Sequence, residues 1–131
     1  DFGYPPFSHP DPLTPGIYTS DRLGKAGYNT KGDYTDEFGG TSSSCPGVAG
    51  TAALILSANP ELTWEQVRQV IKETCDRIDP AGGQYDSKGH SIYYGYGRIN
   101  AEKAVKRALE LKFKRLVRKI RTKAIAEIKD R

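Results

Sequence analysis

The residues best suited to chemistry are a serine and the small residues around it. Ser42 follows Gly40 and Thr41 within the small-residue run 39–50, and the apolar stretch 51–56 comes next. A serine hydroxyl is a weak nucleophile unless the backbone holds it at a helix N-terminus, facing a base and oxyanion donors. The run 39–50 has the composition to build such a site.

A polar turn that merely caps a helix would use similar residues. Pro46 favours the catalytic interpretation, because a proline so close after the serine is tolerated in the first helical turn, where its missing N–H costs little. The small residues between 47 and 50 give the next helix a narrow surface that suits a tight core. We therefore expect a buried helix over 42–58, ended by Asn59 and Pro60.

Other elements must position this helix. Residues 1–40 are rich in Pro, Gly, Asp and Tyr, which indicates loops, with 16–19 as the best strand and 28–34 as a weaker one. Thr63 is placed to begin a second helix through a capping box. Its apolar face, at helical spacing, is Trp64, Val67, Val70 and Ile71.

The last helix is predicted to run from Ala101 to about Lys129, capped by Asn100. Residues 101–131 hold 12 Lys or Arg and 4 Asp or Glu, whereas residues 1–100 hold 8 and 12. The apolar stripe of this basic helix is Leu109, Phe113, Leu116, Val117, Ile120, Ala124 and Ile128. We place a boundary between a globular part, 1–110, and a basic amphipathic extension, 111–131.

The extension has two interpretations. It could bind an anionic membrane, nucleic acid or an acidic partner domain. We favour the alternative, in which the stripe packs on the chain's own acidic body and the charges are solvated. Because aromatic interleaving and a nucleic-acid motif are both lacking, we expect no nucleic-acid partner, and we rank membrane contact below intramolecular packing.

The serine run resembles the nucleophile motif of the subtilisin-like serine peptidases, the subtilases. The matching pattern is Gly40-Thr41-Ser42-x-x-x-Pro46-x-Val48-Ala49-Gly50, and further segments follow in the family's order. Those segments are 53–57, Pro60, 62–63, 66–68 and 93–101, with 14–17 upstream. The resemblance implies an α/β fold: the C-terminal portion of a parallel-sheet sandwich, here followed by the basic amphipathic helix.

The resemblance also implies a function. Ser42 would be the nucleophile of a serine endopeptidase, and its own N–H would be an oxyanion donor. Gly40, Thr41 and Ser42 would line the oxyanion and substrate cleft. The family's chain order is Asp, then His, then Ser, so the acid, the base and an oxyanion asparagine would lie upstream. The motifs around His9 and His90 do not match the family's histidine, and Asp11, Asp33 and Asp36 are better explained as turn residues. We expect this chain alone to be inactive. The alternative is a non-catalytic remnant that binds through its basic helix.

Composition narrows the remaining possibilities. Two cysteines and two histidines are too few for a disulfide-rich scaffold or a zinc site. Cys45 and Cys75 lie at comparable heights on two predicted antiparallel helices, which is compatible with a disulfide or with two buried thiols. Since there is no methionine, we expect Asp1 not to be a translational start.

The implied partners come from the family. They are a polypeptide substrate and the upstream part of the catalytic domain. Structural calcium is implied as well, and the loop 82–89 could be a weak cation site or a solvated loop, of which we favour the loop. The family suggests a secreted or cell-envelope location.

Overall fold

The computed structural model describes residues 16–129. These residues divide into two compact units, one up to Val48 and the other from Ala49. The elements in chain order are β1 (Ile17–Ser20), a 3-10 turn (Gly24–Ala26), β2 (Tyr34–Phe38), α1 (Thr41–Ala58), α2 (Trp64–Thr74) and α3 (Ala101–Lys129). Helix α1 begins in the first unit and ends in the second.

The first unit is built on a hairpin. Strands β1 and β2 pair antiparallel, with Ile17 opposite Phe38 and Ser20 opposite Tyr34. The connecting loop is held by the Asp21 carboxylate, which accepts hydrogen bonds from the N–H groups of Arg22 and Asn29, each at 2.7 Å. Such side-chain-to-backbone bonds replace the regular ladder in a loop. They organise the loop between β1 and β2.

The second unit has a small core between its helices. The buried apolar residues are Ile55 of α1, Val67 and Val70 of α2, and Ala104 and Ala108 of α3. Thr63 begins α2 with a capping box formed with Gln66, as predicted. Asn100 caps α3 through its side-chain oxygen, which accepts from the N–H of Lys103 at 3.0 Å. The alanines let α3 approach the other helices closely.

Asp76 joins the end of α2 to the beginning of α3. Its carboxylate accepts hydrogen bonds from Asn100 and from Lys103, and Arg98 lies at 3.7 Å. Backbone bonds between residues 76 and 98, each 2.8 Å long, connect the same two segments. The two ends of the segment 77–97 are therefore held next to each other, where α2 ends and α3 begins.

Three predictions about these elements are wrong. The second strand is Tyr34–Phe38, and the predicted strand 28–34 is mainly turn that leads into it. Helix α1 is not buried, since Thr51 and Ile55 are its buried residues. Trp64 does not join the core face of α2, because 68% of its surface is exposed.

The parallel-sheet sandwich is not formed by the described residues, whose sheet is the antiparallel pair, and it stays a prediction for a complete domain.

Helix α3 has the predicted extent, but its apolar stripe is not packed on the body. Phe113, Val117 and Ile120 are 64%, 62% and 60% exposed. The favoured intramolecular packing of the stripe is therefore wrong. None of the described helices is long and apolar enough to span a membrane.

Candidate active site

Ser42 lies at the N-terminal end of a helix that directly follows a strand. Strand β2 ends at Phe38, and α1 begins at Thr41, so that two glycines make the whole connection. The φ angle of Gly40 is +79°, in the left-handed region that a side chain disfavours. This residue turns the chain sharply and places Thr41 and Ser42, both exposed, in the first helical turn.

The first turn of α1 is closed by hydrogen bonds to Gly40. The N–H and the hydroxyl of Ser43 both bond to the carbonyl oxygen of Gly40, at 3.1 and 2.6 Å. Among the described residues, the N–H of Ser42 has no acceptor, as is usual for amides in a first helical turn. The positive end of the helix dipole adds to the attraction of this amide for an anion. Ser43, whose hydroxyl ties the turn together, was not among the predicted site residues.

Pro46 lies inside α1 rather than in its first turn. It is the sixth residue of the helix, so the argument that it sits in the first turn is wrong. A proline has no N–H to donate to the carbonyl four residues earlier, which here belongs to Ser42. The carbonyl of Ser42 therefore receives no hydrogen bond from the backbone of the residue four positions later.

No base accompanies Ser42 within the part of the chain that the structure describes. There, no hydrogen bond joins the hydroxyl of Ser42 to a carboxylate or an imidazole. His9 and Asp11 lie outside the described residues. Asp33 and Asp36 are exposed residues of the hairpin, and both line a cavity of about 340 Å³ beside Tyr18 and Tyr34. The structure thus places Gly40, Thr41 and Ser42 together, without the partners of a triad.

His90 belongs to a loop with its own hydrogen bonds. Its ring meets the edge of the Tyr96 ring, with 5.1 Å between the centroids. The backbone N–H groups of His90 and Lys88 both donate to the same carboxylate oxygen of Asp86, each at 2.8 Å. The bond from the His90 N–H is the largest influence that lowers the pKa of Asp86. Within this loop, His90 is a structural residue.

The same loop was the candidate cation site. Asp79 accepts a hydrogen bond from the N–H of Gly82 at 3.0 Å, and Asp86 accepts the two already described. In residues 16–129, no group of three or more His, Cys, Asp or Glu side chains could hold a metal ion. The carboxylates of the loop serve its own backbone.

The two cysteines are free thiols in the structure. Cys45 is exposed, whereas Cys75 is half-buried. The Cys75 thiol donates a hydrogen bond to the carbonyl of Ile71 at 3.2 Å, and burial, followed by the charge of Asp76, raises its pKa. A disulfide between Cys45 and Cys75 stays a prediction, which a count of free thiols under denaturing conditions would test.

Comparison with known proteins gives a consistent set of matches. The model of the subtilase family matches residues 6–97. The calcium-dependent proteases of Trichormus variabilis and Nostoc sp. are each 61% identical over 104 residues, which covers 73% of this chain and 16% of each relative. Subtilisin amylosacchariticus of Bacillus subtilis subsp. amylosacchariticus is 35% identical over 94 residues, covering 72% of this chain and 20% of that protein. The chain thus spans a small part of the length of these relatives.

Proposed function

The chain belongs to the subtilase family, and we propose that it is the nucleophile-bearing part of a serine endopeptidase. The observation that carries the proposal is the strand–turn–helix connection, which presents Ser42 at the start of α1 together with a backbone N–H that has no acceptor among the described residues. This connection lies within the residues matched by the family. The triad Asp and His and the oxyanion asparagine would be supplied by polypeptide upstream of these residues.

The reaction would be acyl transfer through Ser42. As the upstream histidine takes its proton, the hydroxyl oxygen attacks the carbonyl carbon of a peptide bond in a polypeptide substrate. The N–H of Ser42 would donate to the oxyanion that forms, aided by the helix dipole. The C–N bond then breaks, the amine leaves with the proton, and an ester on Ser42 remains. Water, deprotonated by the same histidine, hydrolyses that ester and restores the serine.

We propose that residues 1–131 alone turn over substrate at a negligible rate. Loss of the histidine from such a triad costs on the order of a millionfold in turnover, a magnitude known from subtilisin. Because the hydroxyl of Ser42 has no basic partner within the described residues, its reactivity should be close to that of an ordinary serine. Adding the upstream polypeptide should restore activity.

Calcium is the ion suggested by the names of two relatives. A protein calcium site uses six to eight oxygen ligands, several of them carboxylates. The described residues do not fit this requirement, because the loop carboxylates Asp79 and Asp86 already accept backbone N–H groups. We therefore propose that any structural calcium would bind elsewhere in the complete protein, and it takes no part in the steps above.

The test is active-site labelling of the complete protein with a fluorophosphonate. We expect Ser42→Ala to abolish labelling, because the probe reacts with the activated hydroxyl. Ser44→Ala is the matched control, since Ser44 is an exposed serine two residues further along the same helix and its loss should leave labelling unchanged. Labelling that survives Ser42→Ala would refute the proposal.

The remnant hypothesis makes a different prediction about the upstream coding sequence. An Asp-Ser/Thr-Gly segment followed by a His-Gly-x-His segment would supply the missing triad residues and support the peptidase. A start codon immediately before Asp1 would instead leave Ser42 without a base. The basic surface of α3 is compatible with either outcome.

A further inference from the structure

From residue 112 onward, basic side chains of helix α3 contact the body. The Lys112 ammonium donates to the carbonyl of Ala58 at 3.2 Å. Arg115 and Lys119 lie 3.3 and 3.2 Å from the two carboxylate oxygens of Glu61. These contacts hold the helix against the turn between α1 and α2.

The apolar stripe in this part of α3 therefore points away from the body. Arg115 is two residues from both Phe113 and Val117, which is a rotation of about 200° around a helix. Phe113, Val117 and Ile120 are accordingly more than half exposed, and Leu116 and Ile128 are 51% and 73% exposed. Exposed apolar residues in one contiguous stripe mark an interaction surface, unlike those scattered singly.

The charge around this stripe is strongly positive and mostly unneutralised. Residues 112–129 contain eight Lys or Arg and a single acid, Glu127. Lys114 and Arg121 border the stripe, and neither they nor Arg118 form an ion pair with a described residue. The stripe is thus an apolar sector surrounded by cations.

We propose that residues 109–129 bind the surface of an anionic lipid bilayer, with the helix axis parallel to the membrane. The apolar stripe would enter the boundary between headgroups and acyl chains, while the flanking Lys and Arg contact anionic headgroups. Charge complementarity selects this occupant. A second copy of the helix would place cations against cations. The family match ends at residue 97, before α3 begins, so the match assigns no partner to the stripe. The inference does not depend on the proposed peptidase activity.

The test is co-sedimentation of the full chain with two kinds of vesicle. One kind contains phosphatidylglycerol mixed with phosphatidylcholine, and the other contains phosphatidylcholine alone. We expect binding to the first and at least tenfold weaker binding to the second, with the difference reduced by added salt. Equal binding to both kinds, or to neither, would overturn the proposal.

Substitutions separate the two parts of the surface. Ile120→Gln should weaken binding about tenfold, because a large apolar side chain no longer enters the bilayer. The double variant Lys114→Gln, Arg121→Gln should weaken it about 25-fold, at roughly fivefold per cation. Each substituted residue is exposed, and circular dichroism would verify that α3 remains helical.

Matched controls lie elsewhere in the chain. Ile92 is 77% exposed and lies in the loop before α3, outside the apolar stripe, so Ile92→Gln should not affect binding. The exposed pair Lys25→Gln, Lys31→Gln removes the same charge from the first unit and should have little effect. If Ile92→Gln weakens binding as much as Ile120→Gln, the stripe is not the binding surface. A dimer in light scattering that Ile120→Gln dissociates would assign the stripe to a second copy instead.

Discussion

At the scale of single residues, the geometry of the candidate site depends most on Gly40. With a φ angle of +79°, Gly40 makes the turn between the end of β2 and the start of α1. An L-residue in the left-handed region costs roughly 1–2 kcal/mol. Gly39, its neighbour, has no such angle and no atoms within 4 Å of the position where a Cβ would lie. The two adjacent glycines therefore have different roles.

We predict that Gly40→Ala destabilises the chain by about 1–2 kcal/mol, whereas Gly39→Ala is neutral or slightly stabilising. In the complete protein, Gly40→Ala should also slow fluorophosphonate labelling of Ser42, since relief of the strain would shift the serine. Urea unfolding measures the first effect, and the labelling rate measures the second. Equal effects of the two substitutions would show that the turn does not determine the position of Ser42.

At the scale of elements, features that depend on nearby residues can be predicted from the sequence more reliably than packing between elements. The capping box at Thr63 and the cap at Asn100 were predicted because their hydrogen bonds involve residues three positions away. The extent of α3 also follows from its own periodicity. By contrast, β2 was placed too early because Tyr28 and Tyr34 suggested a strand, whereas the Asp21 contacts turn 21–33 into a loop.

Burial could not be predicted from one element alone. Trp64 has the helical spacing of a core residue, but it is the first residue of α2 and is exposed. The residues of α2 that enter the core are Val67 and Val70. Trp64 instead lies beneath the Arg68 guanidinium, 5.7 Å from the ring centre. Likewise, the sequence shows that α3 is amphipathic, but it does not show which face meets the body. The contacts of Arg115 and Lys119 with Glu61 show that basic residues face the body in this part of the helix.

The connection between α2 and α3 predicts a pH dependence of stability. The hydrogen bond from Lys103, then that from Asn100, lowers the pKa of Asp76 below its ordinary value of 3.8. A carboxyl group with a lower pKa in the folded state stabilises that state above its unfolded pKa, and this stabilisation is lost as the pH falls through the folded pKa. The contribution of Asp76 should therefore be complete at neutral pH and be lost progressively as the pH falls below about 4.

We predict that Asp76→Asn lowers the free energy of unfolding at pH 7 and reduces its dependence on pH between 5 and 2. Some dependence should remain, because the pKa values of Glu61, Asp86 and Glu102 are lowered too. Asp36→Asn is the control, since Asp36 is exposed and its side chain makes no hydrogen bond with a described residue. Urea titrations at several pH values would measure the difference. An unchanged pH profile in Asp76→Asn would contradict the prediction.

At the scale of the whole molecule, the chain has little core for its length. Five apolar residues are buried in the described part, all in the second unit, while Leu54 and Leu56 on α1 are 52% and 41% exposed. A helix with small residues along its length is suited to close packing on both sides. The resemblance to subtilases predicted a parallel sheet beside this helix. That sheet cannot be inferred from local contacts of these residues, because its strands would come from polypeptide far away in sequence.

The exposed leucines of α1 therefore test whether the upstream polypeptide completes the fold. In residues 1–131 alone, Leu54→Asp should lower the free energy of unfolding by only about 1 kcal/mol, because the side chain is already half exposed and Asp is a slightly weaker helix former than Leu. In the complete protein, the same substitution should cost at least about 2 kcal/mol, since a charge would be buried against the added sheet. Leu23→Asp is the control, because Leu23 is 73% exposed in the loop after β1 and should behave alike in both proteins. If Leu54→Asp has the same small effect in both, the upstream polypeptide does not pack on this face of α1, and the helix that carries Ser42 is held by some other contact.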